Sequence, residues 1–166
     1  MRPRMFACLP LLLLLATPLH AGPASALRWR EWDEGLKEAR DRKLPVLVDV
    51  YTDWCGWCKR MERDVYAQPE VRDYLSRKFV TVKLDAEAGD PAHYQEQDFT
   101  GRSLASHFGI TGYPTTIFLR ANSEHLINAP GYIPADRFIS VLRYIGDGYM
   151  DRGVTWEQFK QQGGKK

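Results

Sequence analysis

Cysteine is scarce in this 166-residue chain, which has three: Cys8, Cys55 and Cys58. Three cysteines, two of them three positions apart, cannot make a disulfide scaffold, because one short loop staples very little of a fold. A structural zinc site is excluded too, since no second cysteine pair exists and His93, His107 and His125 are scattered outside ligand spacing. Copper(I) storage would call for a third soft ligand or a methionine-rich run, and neither is present. Surplus charge is also missing, with 23 basic residues against 21 acidic ones. Nothing in that balance suggests a nucleic-acid or anionic-membrane partner. Long apolar runs are absent apart from Leu9 to Ala16, which contains Pro10, is followed by Pro18 and is too short to span a bilayer comfortably. There is no internal repeat and no sign of a second domain.

The N-terminal 26 residues stand apart. Arg2 and Arg4 form a basic start, Leu9 to Ala16 an apolar core and Ala24-Ser25-Ala26 a small-x-small cleavage site. The pattern predicts a signal peptide over residues 1–26, removed after Ala26, and hence a periplasmic or secreted protein. Cys8 would leave with it. The rest of the chain then balances at 21 basic and 21 acidic residues and keeps only Cys55 and Cys58. At that size it can bury one ordinary globular core.

What the chain does have is the stretch from Val46 to Lys59, VLVDVYTDWCGWCK. It opens as an apolar β-branched run behind Pro45, the pattern of a buried strand. A short polar loop then leads to a C-x-x-C, with a helix-compatible run, Lys59 to Ala67, behind it. A strand that delivers two cysteines to a helix start is a redox device. There Cys55 meets the positive end of the helix dipole, which lowers a thiol into the range of about 3.5–7.5. Cys58, one turn on and expected to be the more buried, can attack a mixed disulfide formed by Cys55.

Around this stretch the predicted elements follow in order. Leu27 to Leu44 reads as an amphipathic helix with Trp29, Trp32, Leu36 and Ala39 on one face. Pro69 to Arg77 is a second helix after the active-site one, with Val71, Tyr74 and Leu75 buried. Phe79 to Leu84 is a strand. Asp85 to Thr100 is polar, with Tyr94 and Phe99 interspersed; it reads as a loop or insertion and is expected to help select partners. Ser103 to Phe108 is a short helix closed by Gly109. Thr115 to Arg120 and His125 to Asn128 form a hairpin about Ala121-Asn122-Ser123. Pro134 to Ile145 is an amphipathic helix, Thr155 to Gln161 a last helical turn, and Gly163 to Lys166 a frayed end. The domain is placed at residues 27–146, followed by a partly disordered extension over 147–166.

With this order, four features make residues 29–145 resemble the thioredoxin family. Trp54-Cys55-Gly56-Trp57-Cys58-Lys59 is similar to its W-C-G-x-C-K motif, and Asp49 matches its buried aspartate. Lys83 sits where the family has that aspartate's lysine partner, and Gly112-Tyr113-Pro114-Thr115 is similar to its cis-proline loop. The resemblance implies a thioredoxin fold, an α/β architecture with a central mixed sheet flanked by helices. To this the chain adds an N-terminal helix and an insertion before the second core helix. It also implies Cys55 as nucleophile and Cys58 as resolving cysteine, with no metal or organic cofactor. Asp49 has two readings: an acid of raised pKa that moves the Cys58 proton, or a strand-end carboxylate paired with Lys83. Pro114 is expected to be cis, with Tyr113 offering its backbone to an extended substrate beside Trp54, Gly56 and Trp57. Lys59 is either an aid to the thiolate or plain helix surface, and Glu62, Arg63 and Asp64 read as solvated surface.

Two departures refine the resemblance. Trp57 stands where common cytoplasmic thioredoxins have proline, so their reduction potential does not carry over. Tyr113-Pro114 is more like protein disulfide isomerase domains. The Pro69-Glu70-Val71 break and the 85–100 segment resemble secreted bacterial thioredoxin-like proteins, among them the periplasmic domain of the membrane thiol:disulfide interchange protein. The implied function is a monomeric periplasmic thiol–disulfide oxidoreductase. It would reduce partner-protein disulfides with electrons from a membrane thiol:disulfide donor. A disulfide oxidase or isomerase, and a non-catalytic copper binder or chaperone, are the alternatives.

Overall fold

The computed structural model describes residues 27–163; the predicted signal peptide and residues 164–166 lie outside the described residues. Five strands form one mixed sheet in the order β1-β3-β2-β6-β7. They are β1 (Trp29–Arg30), β2 (Val46–Tyr51), β3 (Val80–Asp85), β6 (Thr115–Leu119) and β7 (His125–Pro130). β1 and β2 both run parallel to β3, whereas β6 is antiparallel to β2 and to β7. The helices are α1 (Trp32–Arg42), α2 (Gly56–Met61), α3 (Pro69–Lys78), α4 (Gly101–His107), α5 (Ala135–Gly146) and α6 (Trp156–Gln161).

β2 is the central strand and is covered on both faces, which is why its apolar run is nearly continuous. Val46, Val48 and Val50 face α1 and α4, packing with Trp32, Leu36, Ala39 and Leu104. Leu47 faces the other layer, with Met61, Val65, Leu75, Phe138 and Leu142. Gly35 lets α1 lie close on the sheet, because a Cβ there would fall 2.2 Å from Val82 Cγ2.

Three expected elements come out differently. The first helix begins at Trp32, not Leu27, because residues 29–30 extend and pair with Thr81 and Val82 as an edge strand. Arg30 is buried there, its guanidinium forked onto Glu38. Trp29 therefore leaves the α1 layer and packs with the opposite one. The 85–100 segment is not a plain loop. It holds a second sheet, the hairpin β4 (Pro91–Tyr94) and β5 (Gln97–Thr100), turned at Gln95 and Glu96 with φ of 48° and 63°. Ala92 and Tyr94 alternate inward, and Tyr94 donates to the Ser123 carbonyl at 3.0 Å. Tyr94 is thus a core residue, and Phe99 packs partly buried against the same core. Finally, the active-site helix starts at Gly56 and widens after Met61 into a π-helical segment, Glu62–Tyr66.

Residues 147–163 run through turns into α6, which lays Phe159 into the α3–α5 layer. Of the residues expected to fray, Gly163 alone is described. Among the described residues no helix is long and apolar enough to cross a membrane.

Candidate active site

β2 ends at Tyr51, and the chain folds back at once so that the Cys55 amide donates to the Thr52 carbonyl at 3.1 Å. This turn sets Cys55 at the N-cap of α2, where its Sγ accepts from the Cys58 amide at 3.0 Å. Cys55 and Cys58 are joined as a disulfide. Sequence reasoning made Cys55 the exposed sulfur and Cys58 the buried one. In the closed disulfide the two are alike, at 4% and 6% exposure, since each sulfur shades the other.

Exposure belongs to the rim instead. Trp54 and Trp57 flank the pair and are 67% and 54% exposed. The Trp54 indole donates to Glu87 Oε2 at 3.0 Å and meets Tyr113 edge to face at 6.0 Å. Trp57 packs on Tyr132 at 5.5 Å, with the Arg60 guanidinium 5.1 and 5.3 Å from the two rings. Gly56 between them faces open space, so a side chain there would meet nothing of this chain. The Tyr113–Pro114 peptide is cis, and the Pro114 carbonyl accepts from Gly131 N at 2.8 Å. Lys59 is exposed on α2, and Arg63 and Asp64 pair with each other on its surface.

Behind the rim lies a polar row across the sheet. Asp49 is in register with Lys83 on β3 and with Thr116 on β6, and directly paired residues share a face of the sheet. All three therefore point toward α2. Asp49 is 1% exposed, yet both of its oxygens are partnered. Lys83 Nζ is 2.7 Å from Oδ2, and Tyr66 OH donates to Oδ1 at 3.1 Å. Burial raises the Asp49 carboxyl above the usual range, and the Lys83 cation and the two donors offset only part of that rise. Burial alone would lower Lys83, but the carboxylates of Asp49 and Glu62 together raise it. The Lys83 ammonium also lies 4.7 Å over the Trp29 ring and 5.0 Å over Tyr51.

Sequence reasoning missed several of these neighbours, four of which bear on the charges and rings of the site. Tyr66, Trp29 and Glu87 went unremarked as site residues, and Glu62, taken for solvated surface, reaches Lys83 at 3.3 Å. The signal for Tyr66 was present. Met61, Val65 and Tyr66 are the apolar side chains of an otherwise charged helix, and a hydroxyl buried on that face needs a partner. No group of histidine, cysteine and carboxylate side chains that could hold a metal ion occurs among the described residues.

The thioredoxin-like domain family matches residues 32–146, most of the chain. The chain belongs to the thioredoxin-like family. Curated relatives include the thiol:disulfide interchange protein DsbD of Ralstonia nicotianae, 33% identical over 114 residues. Another is DsbD 1 of Pseudomonas aeruginosa, 33% identical over 113 residues. These matches cover 68% and 64% of this chain but only 17% and 18% of the relatives' length. Among solved structures, a thioredoxin-fold protein of Helicobacter pylori superposes with a TM-score of 0.65 at 19% identity, covering 78% of this chain and 92% of that one. That likeness shows the fold. A thioredoxin of Thermus thermophilus gives 0.63 at 25% identity, covering 78% and 94%. A putative disulphide-isomerase of Bacteroides thetaiotaomicron gives 0.59 at 29% identity, covering 74% and 94%. The thioredoxin fold holds, with the mixed sheet and flanking helices expected of it. Domain, relatives and C-x-x-C disulfide together support thiol–disulfide oxidoreductase activity.

Proposed function

We propose that the chain is an exported thiol–disulfide oxidoreductase that reduces disulfides of partner proteins. The reading is carried by one observation: a Cys55–Cys58 disulfide beside two exposed tryptophans, just past the end of the strand that buries Asp49. In the reduced form, the Cys55 thiolate attacks a partner disulfide, joins one partner sulfur and releases the other as thiolate. Cys58 then attacks the Cys55 sulfur. The internal disulfide closes, the second partner sulfur leaves, and two electrons have passed to the partner. Asp49, held above the usual carboxylate range, takes up the Cys58 proton as that thiol becomes a nucleophile, with Lys83 tuning the acid. Trp54, Gly56, Trp57, Tyr113 and Pro114 form the surface over which an extended partner segment lies, pairing through the Tyr113 backbone.

A reductant outside the cytoplasm works where disulfides persist, so it needs a source of electrons. We assign that role to a membrane thiol:disulfide donor. The likeness to a segment of DsbD supports a thiol–disulfide exchange partner of this kind. Export rests on residues 1–26, and N-terminal sequencing of the exported protein should begin at Leu27.

The reduction potential of the Cys55–Cys58 couple tests the direction. Equilibration with glutathione or dithiothreitol can be followed by tryptophan fluorescence, since Trp54 and Trp57 flank the sulfurs. A value near that of thioredoxin, about −270 mV, is expected. A value at or above about −180 mV would make the protein an oxidase or isomerase.

A further inference from the structure

We infer that Tyr66 is a positioning residue for the exchange reaction, its buried hydroxyl setting when Asp49 gives up and takes back its proton. The inference rests on the reading of Asp49 as the internal acid and adds the group that controls it.

The geometry makes Tyr66 the second arm of a clamp. Lys83 reaches Asp49 Oδ2 at 2.7 Å from the neighbouring strand, and Tyr66 reaches Oδ1 at 3.1 Å from the helix above. The two arms differ in kind. Lys83 is partly exposed and shared with Glu62, so solvent and the surface charge reach it. Tyr66 is fully enclosed, its ring edge-on to Trp29 at 5.1 Å and to Phe138 at 5.7 Å. Within hydrogen-bond reach of its hydroxyl are Asp49 and, at 3.5 Å, Thr116 Oγ1. Burial first, and then the Asp49 charge, hold the phenol well above the usual tyrosine range, so it stays a donor throughout the working pH.

The helix is built to put the ring there. After Met61 the backbone widens into the π-helical segment that ends on Tyr66, displacing this residue relative to a regular α-helical continuation. Thr116 stands beside Asp49 across the β2–β6 pair and offers the hydroxyl a second resting place. Tyr66 can therefore hold the carboxylate when Asp49 is charged and lean on Thr116 when it is protonated. A donor on a carboxylate favours the charged form. Tyr66 thus works against burial and keeps Asp49 able to release its proton between turnovers.

Tyr66→Phe removes the hydroxyl and keeps the ring among Trp29 and Phe138. Two readouts separate the inference from the reading beneath it. The first is titration of the Asp49 carboxyl itself, by carbon NMR of protein carrying labelled aspartate, with Asp49→Asn to assign the signal. The second is the pH profile of disulfide exchange with a protein partner. The midpoint of the carboxyl titration should rise by about one pH unit, a tenfold change in the protonation equilibrium. The exchange profile should move by the same amount, with the thermal unfolding transition still cooperative. An unmoved Asp49 midpoint overturns the inference, whatever the rates do. A midpoint that moves while the exchange profile stays put leaves Tyr66 in control of Asp49 and removes Asp49 from the reaction. Tyr66→Leu, which loses ring and hydroxyl together, should shift the midpoint in the same direction if the hydroxyl is what matters.

Discussion

Replacing Glu38 by glutamine should cost the protein about 2 kcal/mol at neutral pH and nothing near pH 2. The Glu38 carboxylate lies between two guanidinium groups. Arg30 grips it with a fork, at 2.6 and 2.8 Å, and Arg42 adds a contact at 2.6 Å. Arg30 above all, then Arg42, holds the carboxyl at about 2 instead of 4.5, against the effect of burial. At about 1.36 kcal/mol per pH unit, that displacement bounds the contribution at about 3.4 kcal/mol. The Glu38 side chain keeps 19% exposure and Arg42 is a surface residue, so screening reduces the bound to about 2 kcal/mol. The sign follows from a lowered pKa. The stabilisation is whole above about pH 4.5 and is lost as pH falls through about 2, because the unfolded chain takes up the proton first. Urea unfolding of both proteins at intervals from pH 7 to pH 2, read by tryptophan fluorescence, gives the difference directly. The gap should close steadily below pH 4.5. A gap of equal size at both ends would refute the charge argument and leave only packing. The clamp also bears on the site: Arg30 ties down β1, whose Trp29 walls Lys83.

Asp49→Asn should slow exchange with protein partners roughly a hundredfold at neutral pH, by loss of the group that takes up the Cys58 proton. Because burial raises Asp49, its contribution to stability is present in full at low pH and lost as pH rises through the raised value. The variant should therefore gain on the wild type as pH rises from 4 to 8 in thermal melts, and unchanged rates or a constant stability difference would refute the assignment. Trp57→Ala should weaken KM for a protein partner by roughly tenfold while reduction by dithiothreitol stays unchanged. Equal losses with both would mean that the ring acts on the sulfurs and not on docking.

Much of this was legible because the informative residues sit close together in the chain. The strand–C-x-x-C–helix order, Asp49 six residues before Cys55, and the Gly112 to Thr115 loop are local patterns; the structure has that element order, a buried Asp49 and a cis Tyr113–Pro114 bond. Lys83 was legible only through the resemblance, and its register opposite Asp49 follows from the parallel pairing of β2 and β3. What stayed hidden depends on pairing or on helix phase. Trp29 has helical spacing to Trp32, but two residues of parallel pairing with β3 outweigh that periodicity and send it to the other face of the sheet. The β4–β5 hairpin alternates as a strand should, at Ala92 and Tyr94, yet its outward residues are so polar that composition reads as loop. Tyr66 was legible as an inward residue of its helix, but not as the partner of Asp49. A regular 3.6-residue helix and the π-helical one aim it in different directions, and no local pattern announces the widening.

In the mechanism proposed above, moving electrons and moving protons fall to two sets of residues joined by a single strand. The sulfurs and the exposed rings lie at the end of β2, on loops and a short helix that face solvent. Asp49 lies within β2, where its register neighbours Lys83 and Thr116 and the overlying Tyr66 are the polar groups it meets. A carboxylate in the middle of a doubly covered strand would be costly without such partners. With them, in the proposed mechanism, it can exchange a proton with Cys58 without any docking partner touching it. Changes at the rim, at Trp54 or Trp57, should therefore alter which partners are served and leave the pH dependence alone. Changes at Asp49, Tyr66 or Lys83 should shift the pH dependence for every partner alike. On this reading, substitutions in the Trp57–Tyr132–Arg60 cluster can change docking without retuning the proton chemistry beneath it.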